Sequence, residues 1–198
     1  MSAVLAPPKR TAATPLRWTV AEFHRAGAAG LFGGRRPVLL RGILWEQGEM
    51  NPPRATAILV GAEALRAAFG LGWTIRVQLP LVLSRDTDPL PDFAVVPGGV
   101  RANLGGHPTT AALVVEVSDT TFDTDVTEKA ELYATAGIAD YWVVDVDGRQ
   151  LLVFRDPAPL PAGLGATAYR THHTFADTDA VSPLAVPTAT VRVADLLP

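Results

Sequence analysis

The chain has 198 residues, a net charge of −3 and a pI near 5.8, which excludes a global basic field, so any nucleic-acid contact must come from a local arginine patch. With 48% hydrophobic and 19% charged residues it reads as globular, with enough length for one real core. The absence of cysteine excludes disulfides, thiolate nucleophiles and Cys-based zinc sites, and no apolar run reaches the roughly 18–20 residues of a membrane span.

Residues 1–17 read as a flexible tail without the basic-then-apolar order of a signal peptide, so a cytoplasmic location is expected. Residues 18–198 read as a single α/β domain, a mixed sheet flanked by helices. Thr19-Val-Ala-Glu22 matches a capping box and predicts a helix to about Ala29. Val38–Leu40 and Ile43–Trp45 predict either two short strands or one bulged strand around Gly42, and Asn51-Pro52-Pro53 is expected to end that unit. Helical spacing of apolar residues runs from Arg54 to Phe69, with Gly70 as the stop.

Strands are predicted over 73–83, over 91–96 with Pro91 at the start, and over 111–117, the last apolar on both faces and so placed in mid-sheet. A helix is predicted from about Asp125 to Ala136. Tyr141–Asp145 and Gln150–Phe154 follow as strands joined through the hairpin signal Asp147-Gly148. Residues 156–165 read as a Pro/Gly loop, 166–174 as an edge strand, and 191–197 as a closing segment.

Fifteen of the 17 basic residues are arginine; the two lysines are Lys9, in the tail, and Lys129, inside the predicted helix. At 100° per residue Lys129 falls with Val126, Ala130, Tyr133 and Ala136, on the apolar stripe that faces the sheet. An isolated lysine there would normally pack its stem and send its ammonium to water. Two acids change that reading. Glu116 ends an apolar strand and shares its face with Ala112 and Val114, and Asp92 has a similar setting beside Phe93. Two such carboxylates on neighbouring strands repel unless a cation lies between them, and hard oxygen ligands suit Mg²⁺ or Mn²⁺.

The stretches Pro91-Asp92, Val115-Glu116-Val117-Ser118, Glu128-Lys129-Ala-Glu-Leu-Tyr133 and Ala136-Gly-Ile-Ala-Asp-Tyr141-Trp142-Val-Val-Asp145 resemble the Uma-two family, from about residue 18 to residue 195. That is a bacterial family of restriction-endonuclease-like domains in the PD-(D/E)XK nuclease superfamily. The resemblance implies an αβββαβ nuclease core, Mg²⁺ or Mn²⁺ held by Asp92, Glu116 and the Val117 carbonyl, and Lys129 as the catalytic lysine. It also implies DNA as substrate and, by nuclease analogy, a homodimer. The position two after Glu116 is Ser118, where the wider superfamily has a lysine; in the resembled family the lysine lies on the following helix, which Lys129 matches. A His found in many members near position 56 is absent, and Glu46 matches an upstream acid loosely. Tyr133, one turn beyond Lys129, is either a core tyrosine or a hydrogen-bond donor in the site. The alternative reading is a catalytically idle nuclease fold that serves as a binding or assembly module.

Other candidates carry less. Asp119, Asp123, Asp125 and Glu128 lack the order of a calcium loop, and Asp125 with Glu128 reads as a helix cap. His172 and His173 point to opposite faces of a strand, and His24 and His107 have no partner at ligand spacing. Arg35, Arg36, Arg41 and Arg54 form either a phosphate-contacting patch or a solvated rim. Tyr141 and Trp142 read as sheet packing.

Overall fold

The computed structural model describes residues 14–161 and 167–198, so most of the expected tail lies outside the described residues. Arg17 already belongs to the body: its guanidinium donates to the Arg41 carbonyl at 2.6 Å, and the Trp18 amide donates to Gly42 O at 2.9 Å. Helix α1 (Val20–Ala28) opens on the expected capping box, with Thr19 and Glu22 exchanging side-chain and backbone bonds. Strands β1 (Pro37–Leu40) and β2 (Ile43–Glu46) pair as a hairpin.

Helix α2 (Pro52–Phe69) starts earlier than expected. Asn51-Pro52-Pro53 does not close the preceding unit; it begins the helix. Asn51 is the N-cap, its side chain accepting from the Arg54 amide at 3.0 Å, and the prolines occupy the first turn, where no intrahelical N–H is lost. Strand β3 (Trp73–Val77) is shorter than the stretch expected to Leu83, because Gln78 turns into left-handed backbone (φ +49°) and Pro80 follows.

Four longer-range strands complete the sheet: β4 (Phe93–Pro97), β5 (Leu113–Ser118), β6 (Asp140–Asp145) and β7 (Gln150–Pro159), with β8 (Thr167–Ala176) at the edge. Their spatial order, β3-β4-β5-β6-β7-β8, follows the sequence. β5 and β6 run parallel, and the other neighbours are antiparallel. A parallel pair needs a crossover, supplied by α3 (Phe122–Thr124), a π turn (Asp125–Lys129) and α4 (Ala130–Thr135). The expected αβββαβ order is therefore present as α2-β3-β4-β5-α4-β6.

Part of the expected 156–165 loop is strand: β7 runs to Pro159. Past Arg155 it pairs with β8 alone, so Pro157 and Pro159 forfeit no ladder bond to β6. The Asp147-Gly148 turn forms as expected, but the left-handed residue is Arg149 (φ +49°). Gly148 is needed for space instead, because a Cβ there would collide with the Asp145 carboxylate that caps the turn. Strands β9 (Ala180–Val181) and β10 (Val191–Arg192) and a 3-10 turn (Val193–Leu196) close the chain.

Alternation divides the sheet cleanly. Phe93, Val95, Leu113, Val115, Val117, Trp142 and Val144 face α2, where Ala57, Ile58, Ala62 and Leu65 meet them. Gly61 lets α2 lie close, since a Cβ there would come 3.1 Å from the Phe93 ring. On the other face Ala94, Val114, Tyr141 and Val143 pack against Ala130, Leu132 and Tyr133. Tyr141 and Trp142 are fully buried and pack the sheet, as expected. The even-numbered face of β5 thus points Glu116 at the crossover helix.

Candidate active site

Glu116 is the charged residue of an otherwise apolar stretch of β5, and it is buried (2% exposed) together with Asp92 (1%) and Asp125 (1%). Burying three ionised carboxylates is costly unless each is paired. The β4–β5 register pairs Phe93 with Val115, so Asp92, one residue before β4, stands across from Glu116. The Val117 amide donates to Asp92 Oδ2 at 2.9 Å, tying the acid to β5.

Lys129 closes the π turn and enters from the helix side. Its Nζ lies 3.1 Å from Glu116 Oε2 and 2.8 Å from Asp125 Oδ1, with 24% of the side chain exposed. The other Glu116 oxygen accepts the Tyr133 hydroxyl at 2.7 Å. Thr121 donates to Asp125 Oδ2 at 2.7 Å. Ser118, two residues beyond Glu116 on the same strand face, is fully buried, and its hydroxyl has no partner among the described residues. The lysine of the cluster comes instead from the crossover helix.

Arg54 enters from the first turn of α2, on the far side of the sheet. One of its terminal nitrogens lies 3.1 Å from Asp92 Oδ1 and 2.9 Å from Oδ2, and Gln78 Nε2 donates to Oδ1 at 3.0 Å. The electrostatics follow from this list. Burial pushes Glu116 up to about 7, against the Lys129 charge, with Asp92 and Asp125 adding repulsion. Burial opposes the Lys129 charge, but Glu116 and Asp125 together hold its ammonium above the ordinary lysine value. Burial and the Glu116 charge hold the Tyr133 phenol well above its ordinary value, so it stays a donor. Three buried acids thus meet two cations, so the cluster is one positive charge short once Glu116 is ionised.

Beside the cluster lies a cleft of about 300 Å³, with Glu116, Lys129 and Arg54 in its lining and Val38, Leu40, Trp45 and Leu90 as apolar walls. Glu46, the last residue of β2, lines the same cleft and is exposed. At the position of the absent upstream His, Thr56 is exposed and bonds within α2 to Pro52 O at 2.9 Å.

These features fit a family description. A family model described as "Putative restriction endonuclease" (Uma2, the Uma-two family) matches residues 33–194. The chain belongs to that family. In solved structures it is similar to a protein from Anabaena variabilis described as "a putative nuclease belonging to DUF820", at 14% identity and a TM-score of 0.66, over 90% of this chain and 97% of the other. That likeness places this Uma2 chain in the same fold. No curated protein matches it by sequence.

Within this Uma2 fold the structure brings Asp92, Glu116, Val117, Lys129 and Tyr133 together, with Glu46 at the cleft wall. The sequence reading missed others. Asp125 is no exposed cap: the helical segment begins at Phe122, and the acid lies inside it, buried against Lys129. Its i,i+4 spacing to Lys129 was the available signal. Of the four arginines in the expected patch, Arg54 joins the site, Arg41 pairs with Glu131 at 2.8 Å, Arg35 donates to Phe32 O, and Arg36 is exposed. His24, without a partner in sequence, meets buried Asp88 at 2.6 Å, and its ring centroid lies 5.9 Å from that of His107. His172 and His173 are exposed on the edge strand.

Among the described residues no three His, Cys, Asp or Glu side chains are arranged to hold a metal. Mg²⁺ asks for less, one or two carboxylates with waters completing its shell. Two acids, a nearby backbone carbonyl, an unpartnered buried hydroxyl and a missing positive charge fit such an ion. No described helix is long and apolar enough to cross a membrane.

Proposed function

We propose that this chain is a Mg²⁺- or Mn²⁺-dependent endonuclease that hydrolyses phosphodiester bonds in DNA. The observation that carries the reading is the arrangement of three buried acids and two cations beside an open cleft, one positive charge short when Glu116 is ionised. Asp92, Glu116 and the Val117 carbonyl would hold the ion, which when bound acidifies a water and neutralises charge on a phosphate oxygen.

The chain's own groups do the rest. Lys129 keeps its ammonium on Glu116 while part of its surface faces the cleft, where a three-donor head can orient a water or meet phosphate charge. Tyr133 fixes the rotation of the Glu116 carboxylate. Trp45, Val38 and Leu90 make one wall of the cleft apolar. A homodimer, which would set two such clefts on one duplex, is part of the proposal by analogy with other nucleases.

The test is cleavage of duplex DNA by purified protein. Strand scission with Mg²⁺ or Mn²⁺, its loss with chelator, and a drop of about a hundredfold or more in Lys129→Ala and Glu116→Gln are expected. RNA cut in preference to DNA would move the substrate. If wild type cuts neither and binds Mn²⁺ no better than Glu116→Gln, the nuclease reading is lost.

A further inference from the structure

The Asp92 carboxylate is already full. A carboxylate offers about four lone-pair positions. Here Arg54 and Gln78 donate to Oδ1, and Arg54 and the Val117 amide donate to Oδ2. An ion seated on Asp92 must displace one of these donors. The Val117 amide is fixed by β5. Gln78 is held at both ends, because its own amide donates to the Asp92 carbonyl at 3.2 Å while its backbone takes the left-handed conformation.

Arg54 is the least committed of the three. A single terminal nitrogen spans both carboxylate oxygens, so the two-nitrogen fork that makes arginine–carboxylate pairs strong is not used. Its Nε is buried with no partner among the described residues. The side chain is 15% exposed and lines the cleft, which gives it somewhere to go. It also carries a positive charge against the same carboxylate that would hold an ion, so the two cations exclude each other there.

We propose that Arg54 is a built-in counter-ion: it holds Asp92 while no metal is bound, and metal enters only as the guanidinium swings out. The inference rests on the metal-dependent reading above. Its physical content is a penalty on metal affinity in the free protein, equal to the work of parting Arg54 from Asp92. Removing the guanidinium removes that penalty.

The experiment is calorimetric titration of Mn²⁺, without nucleic acid, into wild type, Arg54→Ala, Arg54→Lys and Glu116→Gln. Arg54→Ala is expected to bind Mn²⁺ about tenfold more tightly than wild type, since a repelling charge next to the ion is gone. Arg54→Lys should fall between the two, because one ammonium covers Asp92 less completely, and it decides the matter if the alanine variant does not fold. The rise in melting temperature on adding Mn²⁺ should likewise be larger in the Arg54 variants. If Glu116→Gln loses Mn²⁺ but both Arg54 variants bind as wild type or more weakly, the counter-ion role is overturned and the metal reading stands. If Glu116→Gln binds Mn²⁺ as wild type does, both fall.

Discussion

Lys129 Nζ lies 3.1 Å from Glu116 Oε2, and the same ammonium reaches Asp125 at 2.8 Å. A compact three-donor head can serve two carboxylates and still point a proton at the cleft, which a planar guanidinium fork is less suited to do. Removing Lys129 leaves two buried acids without their cation. Lys129→Ala is therefore expected to lose about 3–5 kcal/mol of stability, read by urea unfolding. Lys129→Arg should recover part of the stability and little of the cleavage rate. An arginine variant that cuts at the wild-type rate would show that only charge matters here.

Tyr133 donates to Glu116 Oε1 at 2.7 Å inside a fully buried contact. A hydrogen bond to a charged acceptor contributes about 1.5–3 kcal/mol, more than one to a neutral acceptor. Tyr133→Phe keeps the ring packing on Tyr141, at 4.9 Å between centroids, and removes only the donor. The loss should be larger at pH 8, where Glu116 is ionised, than at pH 5. Equal losses at the two pH values would mean that the phenol stabilises by packing alone.

What the sequence made legible had a local signature. Glu116 stood out as an acid in an apolar strand, and Lys129 as a lysine on an apolar helix stripe. The strands expected over 91–96 and 111–117, found at 93–97 and 113–118, were readable because a short apolar run is a local signal. Gln78 was not readable as a site residue, and Arg54 was read only as one of four arginines of a patch or rim, because their roles depend on α2 and the end of β3 converging on an acid 38 and 14 residues away. Asp125 was misread because Asp-x-x-Glu is a local capping pattern, and only the earlier helix start turns the acid inward. Asn51-Pro52-Pro53 misled for a similar reason: proline breaks a helix interior but suits a helix start.

Asp125 raises Glu116 by like-charge repulsion and shares its lysine. Asp125→Asn removes the repulsion, keeps an oxygen for the Thr121 hydroxyl, and leaves Lys129 to Glu116 alone. Both changes favour ionised Glu116, so its titration midpoint should fall from about 7. A drop of about one pH unit is expected, read from the carboxyl carbon by NMR titration. A midpoint that stays or rises would mean that Asp125 does not hold Glu116 up.

The raised Glu116 also fixes the sign of a pH dependence in the metal-free protein. The group titrates near 7 when folded, against 4.5 for an ordinary glutamate, so between those values the folded chain binds more protons than the unfolded one. Stability must then fall as pH rises through about 4.5 to 7, and level off above it. The gap corresponds to about 3 kcal/mol at most. Lys129 is charged in both states across this window and adds no slope. Asp119, slightly buried but held below its ordinary value by hydrogen bonds from Thr120 and Asn51, acts in the opposite sense only at lower pH. Chelator-treated protein should thus melt higher at pH 5.5 than at pH 8, and Glu116→Gln should flatten the difference. Divalent metal should flatten it too, by holding Glu116 ionised in the folded state. A wild-type curve that rises from pH 5.5 to 8 would show that Glu116 is ionised throughout, and that Lys129 outweighs its burial.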